Sequence, residues 1–108
     1  MTNVATMPQT QDRPRLAPHG WVEQEVEVPN PQGLHARPAT LISKVANGFR
    51  SQVAIRRNDK DVNAKSTLNV LTLVAEQGAR LSVRASGEDA QEAVEAVVAL
   101  VRRGFDEM

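Results

Sequence analysis

The sequence has no cysteine, few aromatic residues and no excess of either charge, and each absence excludes a class of site. Without cysteine there can be no disulfide, no reactive thiolate and no zinc–sulfur site. Lys and Arg total 13, as do Asp and Glu, so nothing favours nucleic acid or an anionic membrane surface as a partner. The aromatic residues Trp21, Phe49 and Phe105 are too few for a platform on which single-stranded bases stack.

Membrane-spanning and secretory segments are also missing from the sequence. No stretch of about 18 consecutive apolar residues is present, as a membrane-spanning helix requires. The N-terminus lacks the basic stretch followed by an apolar one that marks a secretory signal. With 108 residues the chain has room for one domain, and we expect a small cytoplasmic protein that needs no cofactor.

The first 20 residues differ in composition from the rest of the chain. Three of the six prolines lie there (Pro8, Pro14 and Pro18), and no apolar residue recurs at a helical or strand period. Such a segment buries too little surface to offset the entropy lost on ordering. We therefore expect residues 1–20 to be a disordered extension and residues 21–108 to form the folded domain.

Hydrophobic periodicity beyond residue 20 predicts the order strand, helix, strand, strand, helix, strand, helix. Apolar residues alternate with polar ones in four segments, 22–28, 53–55, 62–64 and 81–85. They recur every three or four residues over 38–49 and 90–101, and Ser66 is a suitable N-cap for a short helix over 67–74. Because each strand has only one apolar face, we expect an α+β open-faced sandwich, a four-stranded antiparallel sheet covered on one side by three helices.

One short segment, residues 33–38, concentrates the groups suited to chemistry. His35 lies where a turn meets the first long helix, and in the predicted domain it is the only side chain that ordinarily titrates near neutral pH. The amides that open a helix carry partial positive charge, and Arg37 adds a guanidinium that fits phosphate oxygens. The same positive field favours a neutral, nucleophilic imidazole, so this pattern favours a phosphoryl acceptor.

A histidine at the start of a helix is more often a cap or an ordinary surface residue, and spacing alone leaves that interpretation open. The sequence around His35 has no carboxylate base and no second histidine, which argues against a hydrolase or a metal site. It also has no Walker-type glycine loop, so nothing supports nucleotide binding.

The chain resembles HPr, the histidine-containing phosphocarrier of the bacterial phosphoenolpyruvate:sugar phosphotransferase system, in two segments, PNPQGLHARPATLISKVANGF and DVNAKSTLNVLTLVAEQGARLSVRASGEDAQEAV. The resemblance extends from about Val22 to Val101. GLHARPA is its most specific part, and the Lys65–Ser66 pair and the segment ASGEDA stand at matching separations. The βαββαβα fold of the family agrees with the predicted order of elements.

The resemblance implies that His35 accepts a phosphoryl group at Nδ1 from enzyme I, which draws it from phosphoenolpyruvate. His35 would pass the group on to enzyme II A domains, so the chain would be a carrier that forms a phosphohistidine, not an enzyme. Arg37 and the amides that open the helix would hold the group without metal or nucleotide. We also expect a monomer.

The resemblance further implies roles for the second helix. Ser66 matches the residue that an HPr kinase/phosphorylase phosphorylates in many Gram-positive bacteria, although the pattern alone makes it an N-cap. Partner docking in the family uses the exposed faces of the first two helices, which here carry Ala36, Arg37, Thr40, Lys44, Thr67, Leu68 and Leu71. Leu68 and Leu71 also lie at the helical spacing that is typical of core residues, and of the two we expect Leu68 to be the exposed partner contact. Asn47 and Asn69 stand where some members have lysines, so partner choice is expected to differ.

Three other functions remain open for the same histidine. A nitrogen-branch paralogue, or a carrier for the phosphotransferase-dependent dihydroxyacetone kinase, would retain this site and differ in its partners. A non-catalytic regulatory module, in which His35 is only a cap, would bind partners without accepting a phosphoryl group.

Overall fold

The computed structural model describes residues 14–16 and 20–107. The strands and helices are β1 (Arg15–Leu16), β2 (Val22–Glu27), α1 (Ala36–Ala46), β3 (Gln52–Arg57), β4 (Lys60–Asn63), α2 (Thr67–Leu71), β5 (Arg80–Ser86) and α3 (Ala90–Arg102). A 3₁₀ turn, Gly104–Asp106, follows α3. In the described part of the chain no helix is long and apolar enough to cross a membrane.

The strands form one sheet in the order β1–β2–β5–β3–β4, and every neighbouring pair is antiparallel. β5 lies at the centre, between β2 and β3, although it is the last strand in sequence. α3 packs on β2 and β5, while α1 packs against α2 and α3. This arrangement confirms the predicted α+β open-faced sandwich of four antiparallel strands and three helices.

A fifth strand, β1, lies within the segment for which disorder was predicted. Arg15 pairs with Glu23 and Leu16 with Val22, so β1 adds two residues along the outer edge of β2. The structure departs from the prediction at these two residues because a free strand edge orders a neighbouring segment through backbone bonds, which composition does not reveal. Residues 1–13 and 17–19, and Met108, lie outside the described residues.

The core lies between the sheet and the helices. The predicted inward residues of β3, β4 and β5 are buried, among them Ile55, Val62 and Val83. The predicted stripe of α3 is buried as well, at Ala90, Ala93, Val94, Val97, Val98 and Val101. Burial of each large aliphatic side chain stabilises the fold by about 1.5–3 kcal/mol, so these buried residues make the main contribution to the packing of the helices on the sheet.

α1 is rotated slightly from the predicted face. Ala39 and Ser43 are buried in it, whereas the predicted core residues Leu41 and Val45 are only partly buried. The Ser43 hydroxyl donates a hydrogen bond of 2.8 Å to the Lys65 carbonyl in the segment before α2. This bond accounts for a small polar residue on the buried face, which apolar spacing does not predict.

α2 is shorter than the predicted helix over 67–74. Ser66 is its N-cap, as predicted, and its hydroxyl accepts a bond of 3.2 Å from the Asn69 amide. After Leu71 the amides bond to carbonyls three residues back, and Val74 has a φ of 50°. The chain therefore leaves the helix in a tight turn toward β5, although apolar residues continue at helical spacing.

Asp89 joins the start of α3 to the loop after α1. Its carboxylate accepts hydrogen bonds from the Ser51 hydroxyl at 2.6 Å and from the amides of Ser51 and Arg50 at 2.9 and 3.0 Å. The bond from the Ser51 hydroxyl has the largest effect, and together these bonds lower the pKa of Asp89 to about 2. Gly87 allows the close approach, because a Cβ at that position would lie 2.6 Å from the Ser51 hydroxyl oxygen.

We expect the fold to lose stability as the pH falls from about 4 toward 2, because a carboxylate whose pKa is lowered by folding stabilises the folded state only while ionised. Asp89→Asn should lower the melting temperature at pH 7. It should also reduce the fall in melting temperature that the wild type shows between about pH 4 and pH 2. Melts followed by circular dichroism measure both effects, with the exposed Asp59→Asn as the control. If the melting temperature of Asp89→Asn fell as steeply with decreasing pH as that of the wild type, the result would contradict this account.

Candidate functional site

The loop that leads from β2 to His35 is held by the segment that precedes β5. The Val28 amide donates to the Ala79 carbonyl at 2.9 Å, and the Leu34 amide donates to the Ala75 carbonyl at 2.8 Å. Between these bonds Gly33 has a φ of 65°, and a Cβ there would overlap the Ala75 carbonyl oxygen and lie 2.8 Å from the Glu76 Cα. Glycine is therefore required for both its conformation and its size.

His35 is the N-cap residue of α1, with extended backbone and no side-chain capping bond. The imidazole is therefore not used to cap the helix, and its side chain is 35% exposed. Ala36 and Arg37 open α1, and their amides are among those that have no acceptor within the helix. Pro38 follows and has no amide hydrogen, so the start of α1 offers two amide donors beside His35.

The Arg37 side chain is exposed at the same end of α1. In the described ranges no carboxylate lies within ion-pair distance of its guanidinium. Its five donors are therefore available to an incoming anion.

A carboxylate that the sequence did not reveal lies against the imidazole. Glu107 Oε1 is 3.2 Å from His35 Nε2 and accepts a bond of 2.8 Å from Asn30 Nδ2. The bonds from Asn30 and then His35 lower the pKa of Glu107, so this carboxylate is ionised at neutral pH. The expectation that His35 has no neighbouring carboxylate is wrong, because Glu107 comes from 72 residues away in sequence.

The contact with Glu107 determines which ring nitrogen of His35 carries the proton. An ionised carboxylate can only accept, so Nε2 donates the hydrogen bond and the lone pair of a neutral imidazole lies on Nδ1. No group in the part of the chain that the structure describes bonds to Nδ1. The site thus combines a free nucleophilic nitrogen with amide and guanidinium donors, which is what a phosphoryl acceptor needs.

Glu107 reaches His35 because the chain reverses direction after α3. Gly104, Phe105 and Asp106 have φ values of 68°, 58° and 61°. The left-handed conformation is unfavourable for phenylalanine, but the Phe105 side chain is fully buried and anchors the turn. A lone aromatic residue just beyond a helix-terminal glycine was the only sequence signal for this turn.

Asn30 links the turn after α3 to the histidine loop. Its side chain is fully buried, and Nδ2 donates to the Gly33 carbonyl at 2.8 Å as well as to Glu107. Because the buried Nδ2 group donates to both the Gly33 carbonyl and Glu107, it holds these two neighbours in one arrangement. Asn30 was missed because an asparagine between two prolines is explained equally well by turn chemistry alone.

The other predicted residues lie on α1, on α2 or at the start of α2. On α1, Ala36, Thr40 and Lys44 are exposed, and the Thr40 hydroxyl donates to the Ala36 carbonyl at 2.9 Å. At α2, Leu68 is 75% exposed, whereas Ser66, Thr67 and Leu71 are partly buried. Val74, which was predicted inside the helix, is a further apolar side chain at the surface, 74% exposed.

The described residues include no group of three His, Asp or Glu side chains that could hold a metal ion. A small hollow of about 200 Å³ beside Glu107 is lined by Pro31 and Gln32. A larger hollow of about 530 Å³, lined by Trp21, Asp61 and Arg84 among others, includes neither His35 nor Arg37.

Residues 22–103 match the PTS-HPr family, described as the PTS HPr component phosphorylation site. The phosphocarrier protein NPr of Escherichia coli K12 is 38% identical to this chain and covers 80% of it, with 97% of NPr aligned. The crystal structure of HPr from Thermoanaerobacter tengcongensis is 40% identical, with a TM-score of 0.76 over 80% of this chain and 97% of that one. A structure of Crh from Bacillus subtilis, described as a domain-swapped dimer, is 42% identical, with a TM-score of 0.63 over 75% of this chain and 93% of that one.

Gly33→Ala should destabilise the protein by roughly 1–3 kcal/mol, because it adds a steric overlap to an unfavourable backbone conformation. Gly78→Ala is the matched control, since Gly78 has a φ of 90° but no atom within 4 Å of the added Cβ. Urea unfolding of the two variants and the wild type gives the comparison. Equal losses in the two variants would contradict the argument that close packing on Ala75 requires Gly33.

Proposed function

This chain belongs to the HPr family of phosphotransferase-system phosphocarriers, and we propose that its carrier residue is His35. Phospho-enzyme I, charged from phosphoenolpyruvate, donates the phosphoryl group in the cytoplasm, and enzyme II A domains of the sugar phosphotransferase system receive it. The observation that carries the proposal is the free Nδ1 of a partly exposed imidazole at the start of α1.

The acceptance step needs little from the carrier beyond position and charge. The Nδ1 lone pair attacks phosphorus, the Nδ1–P bond forms, and the bond from phosphorus to the donor breaks. The amides of Ala36 and Arg37 and the Arg37 guanidinium hold the phosphoryl oxygens. No metal or nucleotide takes part on the carrier, and the resulting phosphohistidine is the intermediate that passes to the next protein.

The docking surface for both partners, on this proposal, consists of the exposed parts of α1 and α2 beside His35. It comprises Ala36, Arg37, Thr40, Lys44, Thr67, Leu68 and Leu71. The exposure of Leu68 supports the proposal, since a large apolar side chain at the surface of a small domain is suited to burial by a partner.

One observation favours the carrier over a regulatory binding module in which His35 serves only as a cap. The imidazole makes no capping bond and has one ring nitrogen unbonded. A nitrogen-branch or dihydroxyacetone-kinase-linked carrier would use the same chemistry at His35. The enzyme I that phosphorylates the chain distinguishes these carriers from one another. The relative named NPr makes the nitrogen-branch enzyme I the first one to compare.

We propose a monomer, because acceptance and donation at His35 need only the α1 and α2 faces of a single chain. The Crh structure is described as a domain-swapped dimer, so a dimer is the alternative. Sedimentation at micromolar concentration, with and without enzyme I, distinguishes the two states.

The wild type, incubated with phosphoenolpyruvate and a bacterial enzyme I, should gain one acid-labile phosphate in intact mass, whereas His35→Ala should gain none. His19→Ala, which changes the only other histidine, should gain phosphate as the wild type does. His35→Ala should also melt close to the wild-type temperature because the side chain is partly exposed. Absence of phosphate on the wild type with several enzymes I, the nitrogen-branch enzyme included, would favour the binding module.

Ser66→Asp should slow phosphorylation by enzyme I several-fold, because it places a negative charge beside the docking surface. Aspartate is itself a good N-cap, so α2 should remain folded. Ser66→Ala is the control, expected to lose about 1 kcal/mol of stability without slowing transfer. Initial rates at several enzyme I concentrations measure the effect, and equal rates in Ser66→Asp and the wild type would remove the proposal that phosphorylation of Ser66 is regulatory.

A further inference from the structure

We infer that Glu107 is a positioning residue for His35, whose carboxylate holds the Nε2 proton so that Nδ1 gains and loses the phosphoryl group without any proton transfer. The inference rests on the proposed function, because it concerns the same imidazole. It adds a residue that lies outside both helices of the docking surface and 72 positions from His35.

The geometry supports a directed contact. Glu107 Oε1 is 3.2 Å from Nε2, and the glutamate side chain is only 16% exposed, so water competes weakly for the bond. No other side chain among the described residues bonds to the ring. The rotation of the His35 side chain therefore depends on Glu107, and Nδ1 remains accessible to a phosphoryl donor.

The carboxylate is itself held in place from two sides. Asn30 Nδ2 donates to the same oxygen at 2.8 Å, and the buried Phe105 side chain anchors the turn that precedes Glu107. The bond from Asn30, together with the influence of His35 and Arg37, keeps the carboxylate ionised. A fixed negative charge that does not need to reorganise is the arrangement that stabilises charge developing nearby.

The charges of the transfer step show what Glu107 contributes. Before attack the imidazole is neutral, with its proton on Nε2. When the Nδ1–P bond forms and the donor bond breaks, the lone pair of Nδ1 is shared with phosphorus and the ring becomes positive. On release the electron pair of the N–P bond returns to Nδ1 and the ring is neutral again. The Nε2 proton stays in place throughout, and the Glu107 carboxylate stabilises the positive charge that the ring gains on acceptance.

Nuclear magnetic resonance of ¹⁵N-labelled full-length protein tests the positioning role before any phosphoryl donor is added. In the wild type near neutral pH, the ¹⁵N shifts of His35 should report the Nε2-protonated tautomer, and the Nε2 proton should be visible because its exchange with water is slowed. In Glu107→Ala that proton signal should disappear by exchange. Retention of the signal in a folded Glu107→Ala would overturn the inference.

The rate of transfer tests the charge separately. Glu107→Gln keeps an oxygen that can accept from Nε2 but removes the negative charge, so phosphorylation by enzyme I should slow by about tenfold, as for loss of one charged hydrogen bond, whereas onward transfer should not slow. The variant should have a lower kcat and an unchanged KM, because Glu107 lies outside the docking surface. Asp106→Asn is the matched control, since Asp106 pairs with Arg103 at 2.9 Å and does not contact His35.

The possible outcomes separate this inference from the proposed function. A wild-type rate of phosphorylation in Glu107→Gln, or an equal decrease in Asp106→Asn, would overturn the role of the Glu107 charge while leaving His35 as the carrier. Absence of phosphate on the wild type would contradict the proposed function, whereas the tautomer measurement needs no donor. Melting temperatures of all three variants identify any loss of rate that comes from unfolding.

Discussion

The close packing of Gly33 on the backbone of Ala75 and Glu76 is the constraint on which the site depends. It leaves room for no side chain at Gly33, and the Leu34 amide is bonded to the Ala75 carbonyl at 2.8 Å. The next residue is His35, the N-cap of α1. The contact therefore fixes where the helix begins, and with it the direction in which the first free amides and the imidazole face.

The site is assembled from three segments that are distant in sequence. The loop after β2 supplies His35 and Asn30, the segment before β5 supplies the backbone on which that loop rests, and the turn after α3 supplies Glu107. Backbone bonds do most of this positioning, and the side chains that act on an anion are few. Such a site is sufficient for a carrier because a protein that donates or receives a phosphoryl group provides its own catalytic groups.

Local patterns in the sequence predicted much of the fold and the centre of the site. Amphipathic periodicity gave the order of elements from β2 to α3, Ser66 was recognised as an N-cap, and His35 with Arg37 was placed at a helix start. What local patterns could not predict depends on contacts between distant residues. β1 is ordered by the edge of β2, α2 ends early because the chain must turn into β5, and Glu107 reaches His35 only through the turn anchored by Phe105.

The most direct test of the account is a correlation of ³¹P with ¹⁵N in labelled protein that enzyme I has phosphorylated from phosphoenolpyruvate. The account predicts that phosphorus is bonded to Nδ1 of His35 and that Nε2 still carries its proton. Phosphorus on Nε2 would contradict the orientation of the ring by Glu107. Phosphorus on any other residue would contradict the assignment of His35 as the carrier.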